Sequence, residues 1–202
     1  MKLIAEGVGK KFDRNWIFRD LSFQLASGER VAITGRNGSG KSTLLRILTG
    51  SLSATKGQIS YFEADAPISN DLISSKINFC APYIELPEEF TLHELLVFHA
   101  NFRKPILQIE NILERFGYPD AWHKKIGHYS SGMKQRVRLL LAFFFDGHLI
   151  ALDEPTTNLD ETGISWYQSE INQIAKNKTI LISSNQRSEY GFCEKNIELS
   201  LS

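Results

Sequence analysis

The sequence predicts an α/β fold with a mostly parallel sheet core, an N-terminal antiparallel β layer and an inserted α-helical lobe. Three observations carry that expectation. A glycine-rich nonapeptide, Gly35-Arg36-Asn37-Gly38-Ser39-Gly40-Lys41-Ser42-Thr43, stands between a strand-like run and a helix-like run. Two later runs, His148-Leu149-Ile150-Ala151-Leu152 and Thr179-Ile180-Leu181-Ile182-Ser183, are as continuously apolar as parallel strands buried on both faces. From about residue 83 to 146 the apolar residues recur at helical spacing instead.

Taken in order, residues 2 to 34 hold short β-rich runs broken by Gly7, Gly9, Asp13-Arg14-Asn15 and Ser27-Gly28-Glu29, the texture of a small antiparallel layer with tight turns. Arg30-Val31-Ala32-Ile33-Thr34 is a buried strand feeding the glycine-rich loop, and Leu44, Leu45, Ile47 and Leu48 mark the helix that follows. Gly57 to Phe62 and Lys76 to Cys80 are further strands, separated by a polar loop containing Pro67. The helical stretch divides into Leu92, Leu95, Leu96 and His99, then Ile106, Ile109, Leu113 and Phe116, then Ser131 to Phe145.

At 202 residues the chain is expected to form one domain. Lys and Arg number 23, as do Asp and Glu, so no basic field exists to track a polyanion, and a nucleic-acid partner is not expected. The start, Met1-Lys2-Leu3-Ile4-Ala5-Glu6-Gly7, lacks the apolar segment of a secretory signal, and the run Leu139 to Phe145 is too short to span a bilayer. A soluble, cytoplasmic chain is therefore expected. Cys80 and Cys193 lack metal-ligand spacing and are expected as reduced thiols; the five histidines form no metal pattern.

Gly35 to Thr43 fits G-x-x-x-x-G-K-[ST], the loop that defines P-loop NTPases. Its glycines let successive N–H groups point into one concavity, and the helix start adds its positive dipole end. Lys41 is expected to reach the outer phosphates of a nucleotide, and the Ser42 hydroxyl to join the shell of a Mg²⁺ ion. The strand ending at Leu152 runs into Asp153-Glu154-Pro155-Thr156-Thr157-Asn158-Leu159-Asp160. Two carboxylates at a strand exit call for a cationic neighbour: Asp153 is placed to hold Mg²⁺ through water, and Glu154 to act as general base toward an attacking water. Before that strand, Tyr129-Ser130-Ser131-Gly132-Met133-Lys134-Gln135-Arg136 opens a helix, where Ser130, Ser131 and Gly132 leave N–H groups free as a second anion site. Ser130 acting only as a helix cap is the alternative.

Together these segments resemble the nucleotide-binding domain of ABC ATPases, in the family's order and over nearly the whole chain. The resemblance implies a RecA-like core at about 1–82 and 147–202 with a helical subdomain at about 83–146. It implies ATP and Mg²⁺ as cofactors, Gly35 to Thr43 as the Walker A loop, Asp153 as the Walker B aspartate and Glu154 as the catalytic base. Two such domains stack head to tail in that family, each ATP lying between the loop of one and the Ser130 segment of the other, which gives a reason for two anion sites. Asn158-Leu159-Asp160 corresponds to the loop that crosses the dimer interface. Phe12 matches the aromatic that stacks on adenine, with Trp16 as rival and a core role for Phe12 as the alternative.

Three positions depart from the family pattern. The signature is Tyr129-Ser130-Ser131-Gly132-Met133 in place of Leu-Ser-Gly-Gly-Gln, a variant similar to those of export-type ABC proteins. The glutamine expected before the helical lobe falls at Pro82, beside Tyr83, and proline offers no side-chain donor; Glu85 would approach the metal only if the loop is shaped differently. The switch histidine is replaced by Asn185, which donates a hydrogen bond without charge. The expectation is thus an ATPase subunit of a membrane transporter, peripheral on the cytoplasmic face, paired with a second nucleotide-binding domain as homodimer or heterodimer and with a separate transmembrane permease. The permease is expected to dock near Pro82 to Phe90. A hydrolysis-impaired, nucleotide-gated module is the alternative, motivated by Pro82 and Asn185. An ATPase of DNA or ribosomes fits less well, since neither a long coiled insertion nor a second cassette fits in 202 residues.

Overall fold

The computed structural model describes residues 1–175 and 178–200. In chain order the elements are β1 (Lys2–Phe12), β2 (Asn15–Leu25), β3 (Arg30–Gly35), α1 (Lys41–Leu48), β4 (Lys56–Glu63), β5 (Ala66–Pro67), α2 (Asn70–Lys76), β6 (Ile77–Cys80), α3 (Leu92–Ala100), α4 (Ile109–Phe116), α5 (Ser131–Phe143), β7 (Leu149–Asp153), α6 (Glu161–Ile174), β8 (Thr179–Ser183), α7 (Arg187–Tyr190) and β9 (Lys195–Leu199). They make an antiparallel sheet in the order β2-β1-β4-β5 and a five-stranded sheet in the order β6-β7-β8-β3-β9. Every pairing in the second sheet is parallel.

Strand alternation sorts the core into two halves. Leu149, Ala151 and Leu181 join Val31 and Ile33 on the face covered by α1 and the antiparallel sheet. Their neighbours Ile150, Leu152, Ile180 and Ile182 point the other way, into a core shared with α3, α4, α5 and α6. Because successive side chains of a strand alternate, a continuous apolar run is what a sheet covered on both faces requires. The helical stretch therefore packs on the sheet itself: Leu96, Phe116, Val137 and Phe143 lie in one cluster with Leu152 and Tyr167.

Three local expectations are corrected. The antiparallel layer draws on β4 and β5 from beyond the glycine-rich loop, whereas β3 leaves it for the parallel sheet. The polar Pro67 segment contains helix α2, which buries only Ile73 and is too short for apolar periodicity to reveal. Ile106 lies outside α4; the chain there runs extended, Pro105 bridging Phe145 and the Ile106 N–H bonding the Phe144 carbonyl at 2.9 Å. The sheet order has one functional consequence: β7, β8 and β3 are neighbours, so Asp153, Ser183 and Gly35 end side by side at the carboxyl edge, where open α/β sheets place their ligands.

Candidate functional site

The glycine-rich loop leaves β3 at Gly35 and enters α1 after Gly40. Gly35, Gly38 and Gly40 have φ of 140°, 82° and 93°, the region that strains any side chain. Space is equally restrictive at two of them. A Cβ at Gly35 would come within 2.3 Å of the Leu199 carbonyl oxygen, and one at Gly40 within 2.3 Å of Ile17 Cγ2. Ser39 is fully buried, and its hydroxyl is a buried polar atom without a hydrogen-bond partner. An orphan donor inside a loop of converging N–H groups suits an anionic ligand. Lys41, only 6% exposed, donates from Nζ to the carbonyls of Gly35 (3.0 Å) and Arg36 (3.3 Å), so its charge is held over the loop mouth.

Beside it lies the exit of β7. Asp153 is 2% exposed and its Oδ1 accepts a 3.0 Å hydrogen bond from the Ser42 hydroxyl. A hydroxyl and a buried carboxylate in contact, at the head of a phosphate-type loop, form the donor set a hard divalent cation takes. Glu154 follows with its side chain exposed and its backbone at φ 43°, pinned by a 2.9 Å bond from its N–H to the Ser183 carbonyl. It lines a cavity of about 270 Å³ together with Ile17, Asn37, Gly38, Lys41, Ser42 and Thr43. Asn185 reaches the same loop, its Nδ2 donating to Asn37 Oδ1 at 2.8 Å.

At the position expected for glutamine, Ala81-Pro82-Tyr83-Ile84 forms a tight turn closed by the Ile84 N–H and the Ala81 carbonyl at 3.1 Å. Proline at the second place of a turn is favoured because its φ is already set. The turn brings Tyr83 toward Asp153; partial burial, then the Asp153 charge, push the phenol up to about 12. Glu85 is exposed. Beyond the turn, the loop is fastened to α5 by Arg138 Nε on the Ile84 carbonyl (2.6 Å) and by Lys134 Nζ on Glu88 Oε1 (2.5 Å).

The Ser130 tip caps α5, its hydroxyl accepting the Met133 N–H at 3.2 Å, while Ser130 and Ser131 remain exposed. The tip lies outside the cavity at the loop and instead meets the segment after Glu154, a Cβ at Gly132 coming within 2.8 Å of the Asn158 carbonyl. Arg136 anchors the helix behind it, 6% exposed and stacked 4.9 Å from both the Tyr118 and Trp166 rings. Phe12 ends β1 with 49% exposure and the Lys10 ammonium 5.0 Å above its ring; Trp16 lies under Lys11 and Arg19. Neither aromatic lines the cavity, but Ile17 does.

Sequence reasoning missed Ile17, and it treated Tyr83 only as the neighbour of Pro82. It also gave no role to Gln135 or Glu189, which hold the segment after Glu154. Gln135 lay within the segment already singled out, whereas Glu189 stands in a polar stretch without periodicity to mark it.

The sequence model of the family described as ABC transporter matches residues 18–157. Nod factor export ATP-binding protein I of Rhizobium johnstonii is 35% identical over 185 residues, covering 88% of this chain and 59% of that protein. ABC transporter ATP-binding protein NatA of Bacillus subtilis is 32% identical over 173 residues, covering 82% of this chain and 70% of its own length. The chain thus spans less than two thirds of the Nod factor export relative. Among solved structures, the ATP-binding subunit of an ABC transporter superposes with a TM-score of 0.83 at 26% identity, covering 98% of this chain and 86% of the other.

Proposed function

Because the chain belongs to the ABC transporter family, we propose that it binds and hydrolyses Mg²⁺-ATP and energises a separate membrane permease. The observation that carries this is the Ser42 hydroxyl on Asp153 at 3.0 Å, with Glu154 next in sequence, all facing a loop built for phosphate. In this reading Gly35, Arg36, Asn37, Gly38, Ser39, Gly40 and Lys41 cradle the phosphates, Thr43 in the first turn of α1 joins them from the cavity wall, and Ser42 and Asp153 hold the metal. Bound Mg²⁺ would supply charge neutralisation at the outer phosphates. Glu154 takes the proton of the attacking water, Asn185 donates to the γ-phosphate from its place on Asn37, and Phe12 stacks on adenine.

A second cassette completes the site through its own Ser130, Ser131 and Gly132. Support comes from the exposure of Ser130 and Ser131 at a helix N-terminus set apart from the chain's own loop. ATP then closes two cassettes, as homodimer or heterodimer, and hydrolysis reopens them. The permease docks near Pro82 to Phe90, in a groove of about 320 Å³ lined by Ile84, Leu86, His99, Arg103, Arg138 and Leu141. Exposed Phe98 and Phe102, packed edge-on with Phe90, add an apolar surface beside a second cavity lined by Phe90 and Phe98. Among the described residues no helix is long and apolar enough to cross a membrane. A separate permease fits that observation, and the subunit then sits peripherally on the cytoplasmic face. The relative named for Nod factor export, together with the Tyr129-to-Met133 signature, favours outward transport. The RecA-like core would be about 1–82 and 147–202, with the helical subdomain about 83–146.

Pro82 and Asn185 favour a second reading, a nucleotide-gated module that hydrolyses little. Steady-state phosphate release separates the two, measured on the purified chain with and without membranes holding the permease that co-purifies with it. Rates above the Glu154→Gln control establish the transport ATPase; rates equal to that control in both settings establish the module.

A further inference from the structure

Glu154 and Asn158 are the two residues of the β7 exit loop with positive φ, at 43° and 66°. A glutamate held there is strained, and such strain persists only where the surroundings over-determine it. The surroundings here are specific. Pro155 has no N–H, so its backbone can be held only through its carbonyl, and that carbonyl accepts from Gln135 Nε2 at 2.9 Å. Gln135 is fully buried, and its Oε1 accepts from Arg138 NH1 at 3.3 Å. From the opposite side comes Glu189 of α7, also fully buried. Its Oε1 accepts the Thr156 N–H at 2.8 Å and the Thr156 hydroxyl, while its Oε2 is without a hydrogen-bond partner. Tyr167, buried in α6, fixes the Glu189 backbone by donating to its carbonyl at 2.9 Å.

Burying a carboxylate is costly unless its bonds repay it, and an apolar residue would fill the same volume more cheaply. One oxygen of Glu189 goes unmatched, so what the carboxylate achieves is the grip on Thr156. We infer that Glu189 and Gln135 are positioning residues for Glu154: they clamp Thr156 and Pro155 from two sides and so hold the glutamate in its strained backbone conformation, aimed at the loop. The inference rests on the reading of Glu154 as general base. It joins two elements to that role, the helix that carries the Ser130 tip and the short helix that follows Asn185.

Steady-state turnover and ATP affinity of Glu189→Ala, Glu189→Gln, Gln135→Met and Thr156→Val test it, with Glu154→Gln as control. Misplacement of a reacting group by about an ångström costs up to roughly a hundredfold in rate. Glu189→Ala and Gln135→Met are expected to lower kcat about tenfold to a hundredfold while ATP affinity stays within about threefold. Glu189→Gln keeps an oxygen to accept from Thr156 and is expected to restore turnover to within about threefold of the wild type. Thr156→Val removes only the hydroxyl bond, keeps the fold if Glu189→Ala does not, and is expected to fall between. Wild-type turnover in Glu189→Ala and Thr156→Val beside an inactive Glu154→Gln overturns the clamp and leaves the base assignment standing. Equal losses of ATP affinity and kcat overturn it as well, because a general collapse of the site is then the cause. Full turnover in Glu154→Gln removes the base assignment, and the clamp's purpose with it.

Discussion

The carbonyl oxygen of Asn158 covers Gly132 so closely that a methyl group on Gly132 would approach it to 2.8 Å. The loop leaving β7 and the tip of α5 thus share one contact, and glycine is what permits it. Position 132 takes glycine for a reason of space, separate from any contact its N–H makes with a ligand.

Gly132→Ala is therefore expected to destabilise by overpacking. Forcing a methyl into a filled site costs about 1–3 kcal/mol. For a chain of this size that corresponds to a loss of roughly 2–4 °C in Tm per kcal/mol. Scanning calorimetry checks it, and an unchanged Tm removes the close approach.

Lys41→Ala removes the charge held over the loop mouth. A hydrogen bond to a charged group contributes about 1.5–3 kcal/mol, so ATP affinity is expected to fall at least about tenfold. Titration calorimetry with ATP reads this directly; wild-type affinity would take Lys41 out of the site.

In Glu154→Gln the side chain keeps its shape and loses its basicity. Turnover is expected to fall by about 10² to 10⁴ while ATP is retained. Light scattering should then show the mass double when ATP is added. A monomer at saturating ATP would refute the stacked homodimer.

Asn185→His restores a charge where only a neutral amide donates. Turnover is expected to rise about tenfold, the value of strengthening one bond to a phosphate. The sign with pH follows from imidazole, whose ordinary pKa is near 6.5: the gain is largest below that value and shrinks as pH rises through it. A rate at or below wild type across the range would show that Asn185 does not face the phosphate.

The glycine-rich loop was legible because its glycines answer a backbone demand, positive φ at Gly35, Gly38 and Gly40. The strands β7 and β8 were equally plain, since burial on both faces forces an unbroken apolar run. Where the reading failed, the deciding contact lay far off in sequence or the segment was too short to show a period. Helix α2 buries one residue. Ile106 matched the helical spacing, but the Phe144 carbonyl draws it into an extended path. Tyr83 feels the Asp153 charge across 70 positions, and Glu189 meets Thr156 across 33.

Arg138 and Lys134 fasten the 84–88 loop to α5 one turn apart, and the same helix ends in Ser130. Loop and helix are therefore geared together. A tug at Glu88 enters the helix at Lys134, four residues or about 6 Å from the serine tip at 1.5 Å per residue. What moves the loop moves the tip with it.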